Sequence, residues 1–340
     1  MGKKGKERAK ERRAQRLQEI SELRKIPYPP LRRWWSSETV AIVTGANRGI
    51  GYEIARQLAG HGLCVILASR AADRGHKAAD GLREQGLNVD SHQLDVLDAA
   101  SVESFEKWVV LKYGGLDILK FAWSNLPGFV AHGEYGSVRQ LKKVNNAGVN
   151  FNVGSDNSVE FAEKVIATNY YGTKRMIETM IPIMKHSAFG ARILNVSSRL
   201  GRVNGRRNRL GDANLREQLL RDECLSEELI DGMVVKFIEQ VKQGSWASKG
   251  WPQMFTDYSI SKLAVNAYTR LMVGRFSSRP EGQKIYINCY CPGWVKTAMT
   301  AWEGNISSEE GADTGVWVVL LPSQPDITGK FFAERREISF

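Results

Sequence analysis

The chain has 340 residues, 42% hydrophobic and 25% charged, the balance of an ordinary globular protein with length enough to bury a large core. Its longest apolar run, Val316 to Leu321, falls far short of the roughly 20 residues that cross a bilayer, so it reads as buried helix or strand and no transmembrane segment is expected. The formal charge of +11 invites a nucleic-acid reading, but residues 1–33 alone carry twelve Lys or Arg against four Glu, which leaves the remainder nearly neutral. The four cysteines, Cys64, Cys224, Cys289 and Cys291, form no CxxC pair and have no His cluster beside them. They read as reduced, buried thiols, and no metal site is expected.

The first segment, residues 1–36, is a basic extension. From Lys3 to Lys25 it is charged and free of Pro, with Leu17, Ile20 and Leu23 at roughly helical spacing, which predicts a solvated helix or a disordered arm. Pro27, Pro29 and Pro30 end it, because proline cannot propagate a helix. Trp34-Trp35 then offers a place to pack on the main domain. The four Glu argue against an organelle transit peptide, and there is no apolar core for a secretory signal, so a cytoplasmic location is expected. The arm is either a solvated tail or a salt-sensitive contact for RNA, an anionic membrane surface or an import receptor.

From residue 37 the pattern changes to strands alternating with helices, which implies a doubly wound parallel sheet of the α/β class. The apolar run Val40 to Val43 leads into Thr44-Gly45-Ala46-Asn47-Arg48-Gly49-Ile50-Gly51, and Ile50, Ile54 and Leu58 then repeat on one helix stripe. A glycine-rich turn between strand and helix lets a dinucleotide pyrophosphate lie against backbone N–H groups at the positive helix end, with Gly45, Gly49 and Gly51 as its contacts. A second strand, Leu63 to Ala68, ends at Ser69-Arg70, where an NAD-selective site offers a carboxylate to the adenosine ribose. Arg70, helped by Arg48, instead suits the 2′-phosphate of NADP. A third strand, Val89 to Leu94, delivers Asp95 toward the adenine.

Further along, Tyr258 and Lys262 are four apart, so on a helix they share a face and an ammonium stands near a phenol, favouring its ionised form. Ser198 follows the apolar strand Ile193 to Val196 and can donate to a carbonyl oxygen as negative charge builds there.

Taken in order, TGANRGIG, Asp95, NNAG at Asn145 to Gly148, NVSS at Asn195 to Ser198, YSISK at Tyr258 to Lys262 and CPGWVKT at Cys291 to Thr297 resemble the short-chain dehydrogenase/reductase family over residues 37–340. Within it the chain looks most like plant carbonyl reductases of the neomenthol dehydrogenase and salutaridine reductase group. The resemblance implies a Rossmann-type fold and an NADPH-dependent reduction of a ketone or aldehyde. It makes Asn169, Ser198, Tyr258 and Lys262 a catalytic tetrad, with Lys262 also holding the nicotinamide ribose and Asn169 keeping a water beside it. It also implies cofactor contacts from Asn47, Ile50, Val96, Asn146, Ala147, Gly148, Pro292, Gly293, Val295 and Thr297.

Two insertions depart from the family's usual spacing. Residues 202–256 separate Ser198 from Tyr258, and Leu229, Met233, Phe237 and Val241 at four-residue spacing predict helices there, a roof for the substrate site. In the carbonyl reductase group a comparable insertion covers the helix pair that otherwise dimerises, so a monomer is expected. Trp246, Trp251 and Phe255 either line an apolar pocket or pack in the core. The second insertion, residues 120–143, splits Asp117-Ile118-Leu119 from Val144 and the NNAG motif, inside a strand that belongs in the middle of the sheet. Deleting it restores an uninterrupted apolar strand, as a retained intron or mis-joined gene would require. Against the reductase reading stands a cofactor-binding protein without turnover, a sensor or a form disabled by that interruption.

Overall fold

A computed structural model describes residues 3–25, 33–121, 158–206, 208–323 and 326–340. The chain divides into two units, Met1–Trp34 and Trp35–Phe340. The first contains one helix, α1 (Lys3–Lys25), with no acidic residue in its first turn. The second begins at Trp35, which is buried and whose indole N–H donates to the His61 carbonyl at 3.1 Å.

In the second unit, strands β1 (Val40–Thr44), β2 (Cys64–Ser69), β3 (Val89–Gln93), β4 (Ile118–Phe121), β5 (Ala191–Val196), β6 (Ile285–Tyr290), β7 (Phe331–Ala333) and β8 (Arg336–Ile338) form one sheet. The helices between them are α2 (Gly49–Gly60), α3 (Ala72–Arg83), α4 (Ala99–Tyr113), α5 (Val159–Ile166), α6 (Gly172–Met180), α7 (Ala213–Leu220), α8 (Glu227–Lys242), α9 (Thr256–Ser277) and α10 (Ser308–Leu320). The sheet order is β3-β2-β1-β4-β5-β6-β7-β8, parallel except for β8. The strand order reverses between β1 and β4, and a parallel sheet opens a ligand crevice at the carboxyl ends of its strands at such a point.

β1 and β5 are buried at every position, because helices cover both faces, and this is why their sequences are continuous apolar runs rather than alternations. The register makes the two faces explicit: Ile42, Leu119, Ile193 and Ile287 are successive partners on one face, while Val43, Lys120, Leu194 and Asn288 are partners on the other. The first set joins the core beneath α5, α6 and α9. Asn195, of the same parity, donates to Thr269 of α9 at 2.9 Å. The second set faces α10, where Gly315 lies against Lys120 and Tyr290.

Helix ends follow local chemistry. Asp98 caps α4 by accepting from Ala100 N at 3.0 Å, and Gly114 at φ 67° stops it. Ser307 and Glu310 exchange hydrogen bonds in a capping box at the start of α10, the helix that takes up the Val316 to Leu321 run. Asp212 and Ser226 cap α7 and α8.

The 202–256 insertion is helical as the spacing predicts, with Met233, Phe237 and Val241 buried on one stripe of α8. Trp251 is core: it is buried, meets Phe237 edge to face and donates to Gln240 at 2.7 Å. The thiol expectation needs one correction. Cys289 and Cys291 are buried and Cys64 is half-buried, but Cys224 is exposed, since it falls in the turns between α7 and α8 rather than on a strand. All four are free.

Candidate active site

The site lies where β1, β5 and β6 end. After β1 the chain turns at Gly45 (φ 61°) and Gly49 (φ 58°), left-handed conformations that glycine adopts without a Cβ penalty, and enters α2 with its N-terminus at Gly49. Ile50, Gly51, Ile54 and Leu58 are buried, which fixes the helix end against the sheet and leaves its first N–H groups at the crevice. Within this turn the Asn47 side-chain oxygen is buried with no hydrogen-bond partner among the described residues. An orphaned polar atom beside a helix N-terminus fits a turn that takes a polar ligand.

Arg48 caps the turn in extended backbone. Its guanidinium is pushed below the ordinary range, first by burial and then by the charge of Arg74 on α3. Two guanidinium groups held within electrostatic reach of each other make an electropositive corner at this turn, and Arg70 directly follows β2 in the chain. Sequence reasoning missed Arg74. Its only signal was its place in the first turn of the helix after Arg70, which no motif marks. At the end of β3, Asp95 folds its own turn, accepting from Leu97 N at 3.0 Å, while its N–H donates to Ser101 at 3.0 Å. Arg175 of α6 donates to the Val96 carbonyl at 2.8 Å and so anchors this turn from below, a role the sequence did not suggest.

Tyr258 and Lys262 lie on α9, whose first turn begins after Phe255 in the left-handed conformation at φ 48°. A non-glycine residue held there stores strain of the kind found at functional sites. Lys262 is 1% exposed and donates to the Val196 carbonyl at 3.0 Å, with its ammonium 5.5 Å from the Tyr258 ring centroid. Burial brings the Lys262 amine down to about 7. Ser198 lies two residues beyond the end of β5, caps the short turn Arg199–Gly201 and accepts from Leu200 N at 3.2 Å. Burial first and Cys291 second push the Tyr258 phenol upward, and the nearby Ser198 hydroxyl opposes them. The spacing predicts that Lys262 lowers the phenol; in the structure burial and Cys291 dominate the phenol, and the same burial leaves the Lys262 amine only part-charged at neutrality.

Asn169 is completely buried in a π-helical turn, Ala167–Tyr171, set between α5 and α6. Such turns are rare and cluster at functional positions. Its amide donates to Ser261 at 2.9 Å, and Ser261 in turn donates to the Tyr258 carbonyl at 2.7 Å. Thus Tyr258 and Lys262 lie one turn apart on α9, with Ser198 close by after β5, and Asn169 joins Tyr258 through Ser261, which the sequence reading passed over.

After β6, Gly293 turns at φ 90° over Ile306. Val295 is buried and its carbonyl accepts from Thr300 at 2.6 Å. Gly304 passes so close to it that a Cβ there would meet the Val295 carbonyl carbon at 2.0 Å. Thr297 is buried and caps the turn Ala298–Thr300. Pro292 joins β6 to this loop. Asn146, Ala147 and Gly148 lie outside the described residues, as do Val144 and residues 122–143.

Among the described residues no group of His, Cys, Asp or Glu is placed to hold a metal, and no helix is long and apolar enough to cross a membrane.

Comparison with known proteins agrees with this geometry. The short chain dehydrogenase family model matches residues 39–209. The chain is 35% identical over 325 residues to (+)-neomenthol dehydrogenase of Capsicum annuum, covering 90% of this chain and 98% of that one. It is 34% identical over 301 residues to carbonyl reductase [NADPH] 1 of Mus musculus, covering 86% and 94%. Among solved structures, salutaridine reductase from Papaver somniferum superposes with a TM-score of 0.70 at 31% identity, covering 86% of this chain and 99% of that one. The expected resemblance to the neomenthol dehydrogenase and salutaridine reductase group is borne out, and the chain belongs to the short-chain dehydrogenase/reductase family.

Proposed function

We propose that this protein reduces a ketone or aldehyde with NADPH, Tyr258 giving the proton and Ser198 steadying the oxygen. It is an NADP-dependent oxidoreductase of carbonyl and alcohol groups, as its relatives named dehydrogenase and carbonyl reductase [NADPH] are. The observation that carries the finer reading is the placement of Tyr258 and Lys262 one turn apart on α9, the buried Lys262 amine 5.5 Å from the Tyr258 ring centroid and bonded to the Val196 carbonyl at the end of β5, two residues before Ser198.

The cradle suits NADPH. Gly45, Gly49 and Gly51 with the α2 N-terminus would hold the pyrophosphate, Arg48, Arg70 and Arg74 the 2′-phosphate, and Asp95 and Val96 the adenine. Lys262 would hold the nicotinamide ribose, and Pro292, Gly293, Val295 and Thr297 would bound the nicotinamide. When bound, the cofactor supplies the hydride.

The remaining chemistry belongs to the side chains. A phenol pushed upward stays protonated at neutral pH, which is the form a proton donor needs. As hydride reaches the carbonyl carbon, negative charge builds on the oxygen, where the Ser198 hydroxyl donates and Tyr258 delivers its proton. Lys262, at about 7, gives and takes a proton close to neutrality and can restore the phenol. Asn169, through Ser261, holds the helix turn that carries Tyr258.

The insertion helix α8 supports a monomer. Its Asp231 accepts from Tyr170 at 2.6 Å and pairs with Lys174 at 2.8 Å, and its Lys242 pairs with Glu163 at 2.8 Å, so it lies across the α5, π-turn and α6 face. The basic helix α1 is carried as a separate, salt-sensitive contact for RNA or an anionic surface, tested by its removal, which should spare turnover.

The test is loss of NADPH absorbance against cyclic ketones, aldehydes and quinones, for the full chain and for one lacking residues 120–143. Turnover that Tyr258→Phe cuts at least ~100-fold is expected. Tight NADPH binding without turnover in either form would leave the non-catalytic reading, and no binding at all would sink both.

A further inference from the structure

The 202–256 insertion puts all of α7 and α8 between Ser198 and Tyr258, so proximity along the chain does not set those two side chains against each other. The insertion narrows to a neck where it leaves and rejoins the site. The Gly211 N–H donates to the Gly250 carbonyl, and a Cβ on Gly211 would meet the Gly250 Cα at 2.8 Å, so the pair of glycines lets the two arms of the neck close.

Asn208 sits inside that neck, buried, and both arms share its side-chain amide. The side-chain oxygen accepts from the Met254 N–H at 2.8 Å. The side-chain nitrogen donates to Ser259 Oγ at 2.8 Å, with the Met254 carbonyl at 3.2 Å and the Leu200 carbonyl at 3.4 Å also within its reach. Leu200 belongs to the turn that Ser198 caps, Ser259 follows Tyr258, and Met254 precedes Phe255, the residue held at φ 48° where α9 begins. Asn208 and Met254 are 46 positions apart in the chain. A buried amide that satisfies both its halves on groups brought from so far apart joins those segments, because any opening of the neck leaves its donor and its acceptor unpaired.

The Ser198 turn has a second, separate seat. Asn266 of α9 donates to the Gly201 carbonyl at 2.9 Å and accepts from the Ser197 hydroxyl. Gly201 lies so close to α9 that a Cβ there would meet the Lys262 carbonyl carbon at 2.5 Å. This seat holds the turn at Lys262, one helical turn beyond Tyr258. Asn208 reaches the other side, where it grips the chain before the phenol at Met254 and after it at Ser259.

We infer that Asn208 is a positioning residue: by closing the neck of the insertion it sets the Ser198 turn against the first turn of α9 and so fixes Ser198 relative to Tyr258. Its effect on turnover rests on the reductase reading above; the closure of the neck does not. A carboxylate at position 208 keeps the acceptor for Met254 but turns an acceptor toward the Leu200 and Met254 carbonyls, and alanine removes both halves of the amide. A displacement of about 1 Å between groups that act together on one oxygen lowers rate more than affinity.

Asn208→Ala and Asn208→Asp in the full chain test it, read by hydrogen exchange, NADPH titration and steady-state reduction of a cyclic ketone. Ser226→Ala, which strips the α8 cap away from the neck, is the control for a purely structural loss. Both Asn208 variants are expected to exchange faster in the segments 198–203 and 254–260 and to bind NADPH within about threefold of the parent. Their kcat should fall at least ~10-fold while KM changes by less than about threefold. Ser226→Ala should leave kcat and the exchange of both segments unchanged. With Ser198→Ala already in place, Asn208→Ala should slow reduction by less than about threefold more, because the alignment it holds has lost one partner. Unchanged exchange in both segments, a kcat near the parent's in both variants, or the full loss persisting in the Ser198→Ala chain overturns the inference. Asn208→Asp, nearly the same size, carries the test if the alanine chain does not fold. If the parent turns over no carbonyl, the reductase reading fails, and exchange alone decides the neck: faster in those two segments upholds it, unchanged sinks it.

Discussion

Replacing Lys262 by Met should abolish turnover and yet stabilise the fold, by an amount that depends on pH. In the folded chain burial holds the Lys262 amine at about 7. In the unfolded chain it titrates near ~10.4, so between those values the unfolded state carries more protons and stability rises with pH. At or below neutrality the buried group costs about 5 kcal/mol relative to the unfolded chain, and at a pH of ~9.5 about 1 kcal/mol. The Met variant forfeits the hydrogen bond to the Val196 carbonyl, worth about 1 kcal/mol. The net gain is therefore about 3 to 4 kcal/mol near neutral pH, vanishing by a pH of ~9.5. Lys120 is present in both proteins and drops out of the difference. Urea unfolding of the two proteins at the two pH values reads this directly. A wild-type chain at least as stable as the variant near neutrality, or a gap that does not close as pH rises, refutes the assignment of Lys262 as a buried amine that titrates at about 7.

Single contacts carry further consequences. Arg48→Ala with Arg74→Ala should weaken NADPH binding about 100-fold while leaving NADH binding nearly unchanged, as titration of both cofactors would show. Asn169→Ala removes the donor to Ser261 and should lower kcat more than it raises KM, with a stability loss of about 1 to 3 kcal/mol by urea unfolding. Asn169→Asp keeps an acceptor but not the donor and should not rescue kcat. Trp251→Ala opens the contact with Phe237 and frees Gln240, at a cost of about 3 to 5 kcal/mol in the same measurement.

Much of the fold and site was legible because it is local. The glycines of the first turn, the Ile50, Ile54 and Leu58 stripe and the Tyr258 to Lys262 spacing each declare themselves within one turn of chain, and the structure places them at one sheet edge. What escaped is what depends on distant backbone or unmarked neighbours. The acceptor for Lys262 is the Val196 carbonyl, and a carbonyl has no sequence signature, so the spacing alone shows neither that bond nor the burial that outweighs other influences on the Tyr258 phenol. Cys291 reaches the same phenol only because β6 ends beside α9. Arg74 reaches Arg48 only through the packing of α3. The break between Leu119 and Val144 was readable in the sequence; residues 122–143 and Val144 lie outside the described residues, and at the end of described β4 Lys120 is buried with no hydrogen-bond partner among the described residues.

The proposed function turns on one step, the protonation of a carbonyl oxygen by Tyr258, with Ser198 beside it, as hydride arrives from NADPH. Single-turnover reduction of a cyclic ketone at saturating NADPH reads that step, comparing the unmodified site with Ser198→Ala and Tyr258→Phe in whichever chain length binds the cofactor. Both variants are expected to bind NADPH within about threefold of the parent while the reduction step slows at least ~100-fold in each, with the double variant little worse than Tyr258→Phe alone. Reduction at the parental rate in Tyr258→Phe, with NADPH bound, would contradict it.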